Sequence, residues 1–290
     1  MLDKKHLNEE IALNTGIKQL VETYTEVAAA RIQRLRNSVL RNRSFMEELD
    51  KIYEEIKYSY QQELAKVLHS DPAKIKNVFV MKKNGKSALV FFSSNAGLYG
   101  DIIRKVFNYF TQWVKRISEN SDIIIVGRRG KLLFEESGIN RDYVYFDFPD
   151  DSFDQANFNK LSEFLIPYDN VLAFYGLFES IGSQSAMMAS LNGTSLTIKK
   201  QETEPIKYLF EPSIRDILIF FETEIFVSLL VQSIHESQLA KYASRMIYLD
   251  QATQTVKQKL KRNNLDRLRL SRRLINSKQL QTLAGISLWE

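Results

Sequence analysis

The sequence contains no cysteine, so neither a disulfide framework nor thiol chemistry is available, and a reducing compartment is the simplest setting. Its three histidines, His6, His69 and His235, are too scattered to suggest a metal site. No apolar run is long enough to cross a bilayer; the greasiest stretch, Ile214 to Val231, is interrupted by Arg215, Asp216, Glu222 and Glu224. The opening residues MLDKKHLNEE lack the apolar core of a secretory signal. Neither GxxxxGK[ST] nor GxGxxG occurs, and no Ser-His-Asp or paired-carboxylate arrangement stands out. Proline and glycine are scarce, 5 and 11 in 290 residues, and both are missing from Ile17 to Asp71 and from Ser213 to Ala284.

Those two uninterrupted stretches are what the chain has in place of punctuation. They run for about 55 and about 70 residues, far beyond the three to four turns of an ordinary helix. In the first, Ala28, Ile32, Leu35, Val39, Met46, Leu49, Tyr53, Ile56 and Tyr60 recur three and four apart, with Asn42 in the one seam position not filled by an apolar side chain. In the second, Leu239, Tyr242, Met246, Leu249, Thr253, Val256 and Leu260 repeat the spacing. Each is a narrow stripe that needs another helix to cover it, and a seam Asn favours one register. Because the middle of the chain must return to its start, the two ends are expected to pair antiparallel.

The middle changes character. Short β-branched and aromatic runs appear at Val78-Phe79-Val80, Ala88 to Phe92, Ile123 to Val126, Val144-Tyr145-Phe146 and Val171 to Tyr175. Helical patterns at Ile102 to Ile117 and Phe158 to Leu165 lie between some of them. Continuous apolar runs alternating with helices imply a sheet buried on both faces, hence a Rossmann-like α/β domain with a mainly parallel sheet. Asp71-Pro72 ends the first helix, Gly193-Thr194-Ser195 and Glu204-Pro205 mark late loops, and Ser213 with Asp216 gives a capping signal after Pro212. The expected organisation is therefore a long helix over residues 1–71, an α/β domain over 72–212 and a second long helix over 213–290.

Two loops could grip an anion. The segment Ser93-Ser94-Asn95-Ala96-Gly97-Leu98-Tyr99-Gly100 follows a strand and opens a helix, where phosphate cradles often sit. Gly127-Arg128-Arg129-Gly130-Lys131 follows the next strand. Glycines there more commonly serve as tight turns, so no catalytic, cofactor or metal residue is assigned and no cofactor is expected. The net charge of +5 is concentrated near the C-terminus. Lys257, Lys259, Lys261, Arg262, Arg267, Arg269, Arg272, Arg273 and Lys278 make the second helix a basic rod. A solvated charged face and a nucleic-acid-binding module are the alternatives to a docking part; the basic segment lacks interleaved aromatics, which weakens the single-strand case.

Five stretches in order carry a family resemblance. Val27-Ala28-Ala29-Ala30-Arg31 resembles the "VAAAK" of the γ subunit of F-type ATP synthases. Ser93 to Gly100 is similar to that family's "SSDRGLCGG", and Val126-Gly127-Arg128-Arg129-Gly130 to its "GKKG". Tyr208-Leu209-Phe210-Glu211-Pro212-Ser213 resembles "YIFEPS", and Ala243-Ser244-Arg245-Met246 with Ala252-Thr253 resembles "AARM…AT". The resemblance implies two terminal helices wound antiparallel around a central α/β domain, acting as the rotor stalk of an F1-type or F1-like ATPase. It implies a non-catalytic subunit, present once per ring, with catalysis on partner subunits. Those partners would be α-like and β-like subunits in a hexameric ring and further stalk or membrane-coupling subunits, at the cytoplasmic face of the membrane.

On this reading Arg262, Arg267, Arg269, Arg272 and Arg273 meet an acidic loop of the β-like subunits, and Leu274, Ile275, Leu280 and Leu283 form the bearing that centres the rod. No nucleic acid is expected as a partner. Some positions depart from the family. Asn95-Ala96 replaces its acidic-basic pair, and Asp101 replaces a glycine. Tyr24-Thr25-Glu26 stands where Met-Lys-Met is usual, and Ile275 to Leu280 departs from "ITxEL" with its Glu lost. These changes mark a divergent member and leave open a paralogous motor in place of the housekeeping synthase.

Overall fold

A computed structural model describes residues 4–68, 83–117, 120–150, 152–192 and 214–286. The expected strand at Val78-Phe79-Val80, the helix end at Asp71-Pro72, the loops at 193–195 and 204–205 and the segment Tyr208 to Ser213 lie outside those residues. The element order is α1 (Lys4–Leu68), β1 (Ser87–Phe92), α2 (Ile102–Val114), β2 (Ser121–Val126), α3 (Arg128–Glu136), β3 (Tyr143–Phe146), α4 (Gln155–Leu165), β4 (Asn170–Phe178), β5 (Gln184–Ser190) and α5 (Ile214–Ile286). Both long helices are present, and α1 continues through Gly16. The chain divides into two compact units, one of residues 1–30 with 245–290 and one of residues 31–244.

In the larger unit the five strands stand in the order β3-β2-β1-β4-β5. The first four are mutually parallel, and β5 returns antiparallel beside β4. Strand alternation divides the core in two. Val90, Phe92, Ile124, Val126, Val171 and Ala173 face Phe158, Leu161 and Leu165 of α4 and Phe226, Leu230 and Ile234 of α5. Leu89, Phe91, Ile123, Ile125, Leu172 and Phe174 face α2 and α3, with Ala240 of α5 on the same side. Burial on both faces is why these strands read as unbroken apolar runs. The connections through α2 and α4 lie on opposite faces, so the strand order reverses between β1 and β4.

One strand is absent from the sequence expectation. The antiparallel β5, SAMMAS preceded by Gln184, is half-buried except at the exposed Met187 and carries little apolar contrast to reveal it. At Gly127 the tight turn expected between a strand and a helix is present: β2 ends at Val126 and α3 begins at Arg128.

The helix seams are largely as the spacing requires. In the larger unit Met46, Leu49, Tyr53 and Ile56 pack against Ile225, with Ile217, Phe221 and Leu229 beside them. The Asn42 side-chain amide donates to the Ser228 carbonyl at 3.1 Å, which gives the seam Asn a partner across the helix pair. Leu35 is only half-buried, less than its seam position suggests. In the smaller unit Leu7, Val21 and Ala28 of α1 and Leu249, Thr253 and Val256 of α5 are buried. Lys257 pairs with Glu22 at 3.8 Å and Asn263 donates to Glu10 at 3.2 Å, so the helices run antiparallel there.

Candidate functional site

Between Ile234 and Ala240, α5 passes from one face of the sheet to the other, over the carboxyl ends of β1 and β4. Ile234 lies in the core beside α4, and Ala240 in the core beside α2. Every residue from 236 to 244 is buried, including Glu236, Ser237, Gln238, Lys241 and Ser244. A seam covered by one partner helix cannot give that pattern. Leu239 and Tyr242 were expected on such a seam, yet Tyr242 sits edge-on to Tyr99 at 6.1 Å and donates to the Asp150 carbonyl at 3.3 Å. The α/β domain covers this part of the helix.

In open α/β sheets the crevice outside the strand carboxyl ends, where strand order reverses, is the usual ligand site. Here the chain's own helix fills it. Side chains are missing where the helix comes closest. A Cβ at Gly176 would lie 2.9 Å from Ile102 Cγ1 and 3.1 Å from Ala240 Cβ, and one on Gly100, whose φ is +58°, would collide with Ser244 Oγ.

The loop from Ser93 to Gly100, which could grip an anion, already holds one from the protein. Asp150 Oδ2 accepts from the amides of Asn95 at 2.9 Å and Ala96 at 2.7 Å. Its Oδ1 lies 3.1 Å from Lys241 Nζ, which also donates to the Ser93 carbonyl at 2.9 Å. The second loop is engaged too: the Arg128 amide donates to Asn95 Oδ1 at 2.8 Å and the Arg129 amide to the Ser94 carbonyl at 2.8 Å. The α3 N-terminus thus binds the first loop. Sequence reasoning missed Asp150 and Lys241. The single available signal was a lysine inside an otherwise apolar-spaced helix, which snorkelling would explain equally well.

Among the described residues no group of His, Asp or Glu is placed to hold a metal ion. His235 lies against Phe153 at 5.7 Å, and burial lowers its pKa from the ordinary 6.5. Tyr168 donates to Asp122 at 2.8 Å, and burial followed by that carboxylate raises its phenol well above the ordinary value of 10.

The nine residues singled out on the C-terminal rod share one environment. Arg262, Arg267, Arg269, Arg272, Arg273, Leu274, Ile275, Leu280 and Leu283 are all exposed on α5. Leu280 and Leu283 are 67% and 63% exposed, values far outside a core. Six residues separate Glu10 from Lys4, where α1 begins; six residues on from Asn263 bring α5 to Arg269. From there α5 continues to Ile286, so Arg262 and Arg267 lie along the stretch level with α1 and Arg269 at its end, while Arg272 to Leu283 lie beyond the described start of α1. Residues 257–284 carry nine basic and one acidic side chain and no aromatic.

Two very long terminal helices, with a doubly wound sheet encoded between them whose crevice is filled by one of those helices, define the class of fold. A family model described as ATP synthase matches residues 3–273, and the chain belongs to that family. It is 22% identical to the ATP synthase gamma chain of Pelotomaculum thermopropionicum, over 98% of this chain and 95% of that one. It is 24% identical to the gamma chain of Amoebophilus asiaticus, over 92% of each. With the gamma chain of Cytophaga hutchinsonii it shares 22% over 97% of each. In fold it resembles a chain of the Tetrahymena thermophila mitochondrial ATP synthase, from a structure of the central stalk and c-ring. The TM-score is 0.55 at 18% identity, covering 80% of this chain and 99% of that one.

Proposed function

We infer that this chain is the central rotor stalk of an F1-type or F1-like rotary ATPase, coupling rotation to ATP hydrolysis or synthesis at sites on partner subunits. One observation carries the reading beyond the family. The C-terminal end of α5 exposes Leu265, Leu268, Leu274, Ile275, Leu280 and Leu283 among nine basic side chains, and continues past the level at which α1 begins. Exposed apolar residues of that number on one element mark a surface completed by a partner. A ring of α-like and β-like subunits around this end would cover the leucines and meet the arginines with acidic groups. One copy per ring, a place at the cytoplasmic face of the membrane, and further stalk or membrane-coupling partners belong to the same proposal. Among the described residues no helix is long and apolar enough to cross a membrane.

Catalysis then lies elsewhere, and the chain acts through asymmetry: each rotary position favours a different state of each catalytic subunit by differential contact. The 22–24% identities fit a divergent member, and a paralogous motor remains within the proposal. A nucleic-acid-binding role gains no support from the relatives, and the basic segment offers no stacking platform.

The test is affinity purification of the tagged chain from its native cells, full-length and truncated after Leu270. The full-length chain should bring nucleotide-hydrolysing subunits in ring stoichiometry, and the truncated chain should lose most of them. ATP hydrolysis by the rigorously purified single chain, abolished by Gly97 or Gly100 substitutions, would overturn the reading in favour of an enzyme.

A further inference from the structure

The buried length of α5 contains more polarity than docking requires. Apolar contact is non-directional, so a greasy helix laid across a sheet edge can be rotated or shifted at modest cost. A buried charge pair is different, because it is satisfied in one geometry and penalised in all others. Lys241 and Asp150 have side chains only 8% and 5% exposed. Around Asp150 the contacts come from three directions. Lys241 Nζ reaches one carboxylate oxygen, the amides of Asn95 and Ala96 reach the other, and Gln238 and Tyr242 donate to its backbone carbonyl at 3.5 and 3.3 Å. Gln238, Lys241 and Tyr242 are three and four residues apart, so they lie along one face of α5 and grip a single residue of the domain. Other sides of the helix are held by shape, Ala240 against Gly176 and Ser244 against Gly100.

We propose that Lys241 and Asp150 form a rotational key, which holds α5 in one angular register on the α/β domain and passes torque between them. The key occupies the ligand crevice of the fold, and its lysine and carboxylate take the places of a bound cation and anion. Turning α5 on the domain by one residue, about 100°, would withdraw Lys241 from Asp150 and Ser93 and drive neighbouring side chains into the space left by Gly100 and Gly176. The helix and the domain therefore turn as one body under load. This inference rests on the stalk reading, since only a rotating shaft has torque to transmit.

The assembled complex provides the test. The ring is fixed to a surface, and a bead is bound to a biotin-acceptor peptide inserted at Gly182, in the exposed β4–β5 turn. The width of the bead's angular fluctuation reports torsional stiffness. In Lys241→Met it should broaden severalfold while unloaded ATP hydrolysis keeps its rate. Because the chain has no cysteine, Gly100→Cys with Ser244→Cys adds the only thiol pair in the chain. The Cβ positions are 3.7 Å apart, within the disulfide range of roughly 3.5–4.5 Å. Added to Lys241→Met, the oxidised pair should return the width to the wild-type value, and reductant should broaden it again.

An unchanged width in Lys241→Met, or a cross-link that does not narrow it, overturns the key and leaves the stalk reading standing. If Lys241→Met does not assemble, the cysteine pair in the otherwise unaltered chain decides. Oxidation should then leave width and hydrolysis unchanged, because the helix is already held in that register; a change in either overturns the key. A wild-type chain that brings no nucleotide-hydrolysing ring overturns the stalk reading and the key together.

Discussion

One helix, α5, meets two opposite environments. Over residues 236–244 it buries Glu236, Ser237, Gln238, Lys241 and Ser244. Over residues 265–283 it exposes Leu265, Leu268, Leu274, Ile275, Leu280 and Leu283. Hydropathy alone would assign those places the other way round. In the first stretch the α/β domain wraps the helix, so polar groups are removed from water, and Asp150 and Ser93 answer Gln238 and Lys241. In the second no part of the described chain covers the apolar side chains, and basic groups around them keep the helix hydrated. Polar residues inside thus mark the stretch completed by its own chain; on the proposed function, the apolar residues outside mark the stretch completed by another.

The comparison breaks most visibly at the buried pair. Asp150→Ala strips Lys241 of its carboxylate and leaves two loop amides unanswered, and should destabilise the chain by roughly 3–5 kcal/mol. Urea unfolding of the full chain measures it. A loss below about 0.5 kcal/mol, the range of unremarkable surface changes, would mean that water replaces the carboxylate freely.

A smaller contrast lies within α1. Leu49 is 8% exposed and packs in the cluster around Ile225, so Leu49→Ala should cost about 2–5 kcal/mol. Leu35 occupies the same seam but is half-buried, and Leu35→Ala should cost about 1 kcal/mol. Equal losses at the two positions would show that the seam is uniformly covered.

Smaller again is the effect of pH. Burial holds the pKa of His235 below 6.5, so the folded chain gives up that proton more readily than the unfolded one. As pH falls below about 6.5 the unfolded state binds more protons, and stability declines until the folded pKa is passed. His235→Phe should flatten that part of the stability–pH curve. A curve with the same slope in wild type and variant would remove His235 as the cause.

The smallest effect belongs to the exposed end. Arg272→Glu or Leu280→Ser should change the stability of the isolated chain by less than about 0.5 kcal/mol. In the assembled complex, single arginine reversals should lower ATPase rate only modestly, since the contacts are shared among five arginines. One Arg→Glu change that stops turnover outright would replace a distributed surface with a single contact.

The sequence by itself determined the elements whose signal is local and repeated. Three-and-four spacing without Gly or Pro specifies long helices, and apolar runs of strand length specify a sheet covered on both faces, because each pattern states which sides must leave water. The family was legible for the same reason, in short motifs kept in order. The tertiary structure decided what local patterning cannot encode. It placed β5, whose residues have no periodic contrast. It brought Asp150 against Lys241, 91 residues apart, so that an apparent anion loop closes on the protein's own carboxylate. A charged side chain reads the same in a sequence whether it meets water or a partner, and only the packing of α5 into the sheet's crevice settles which.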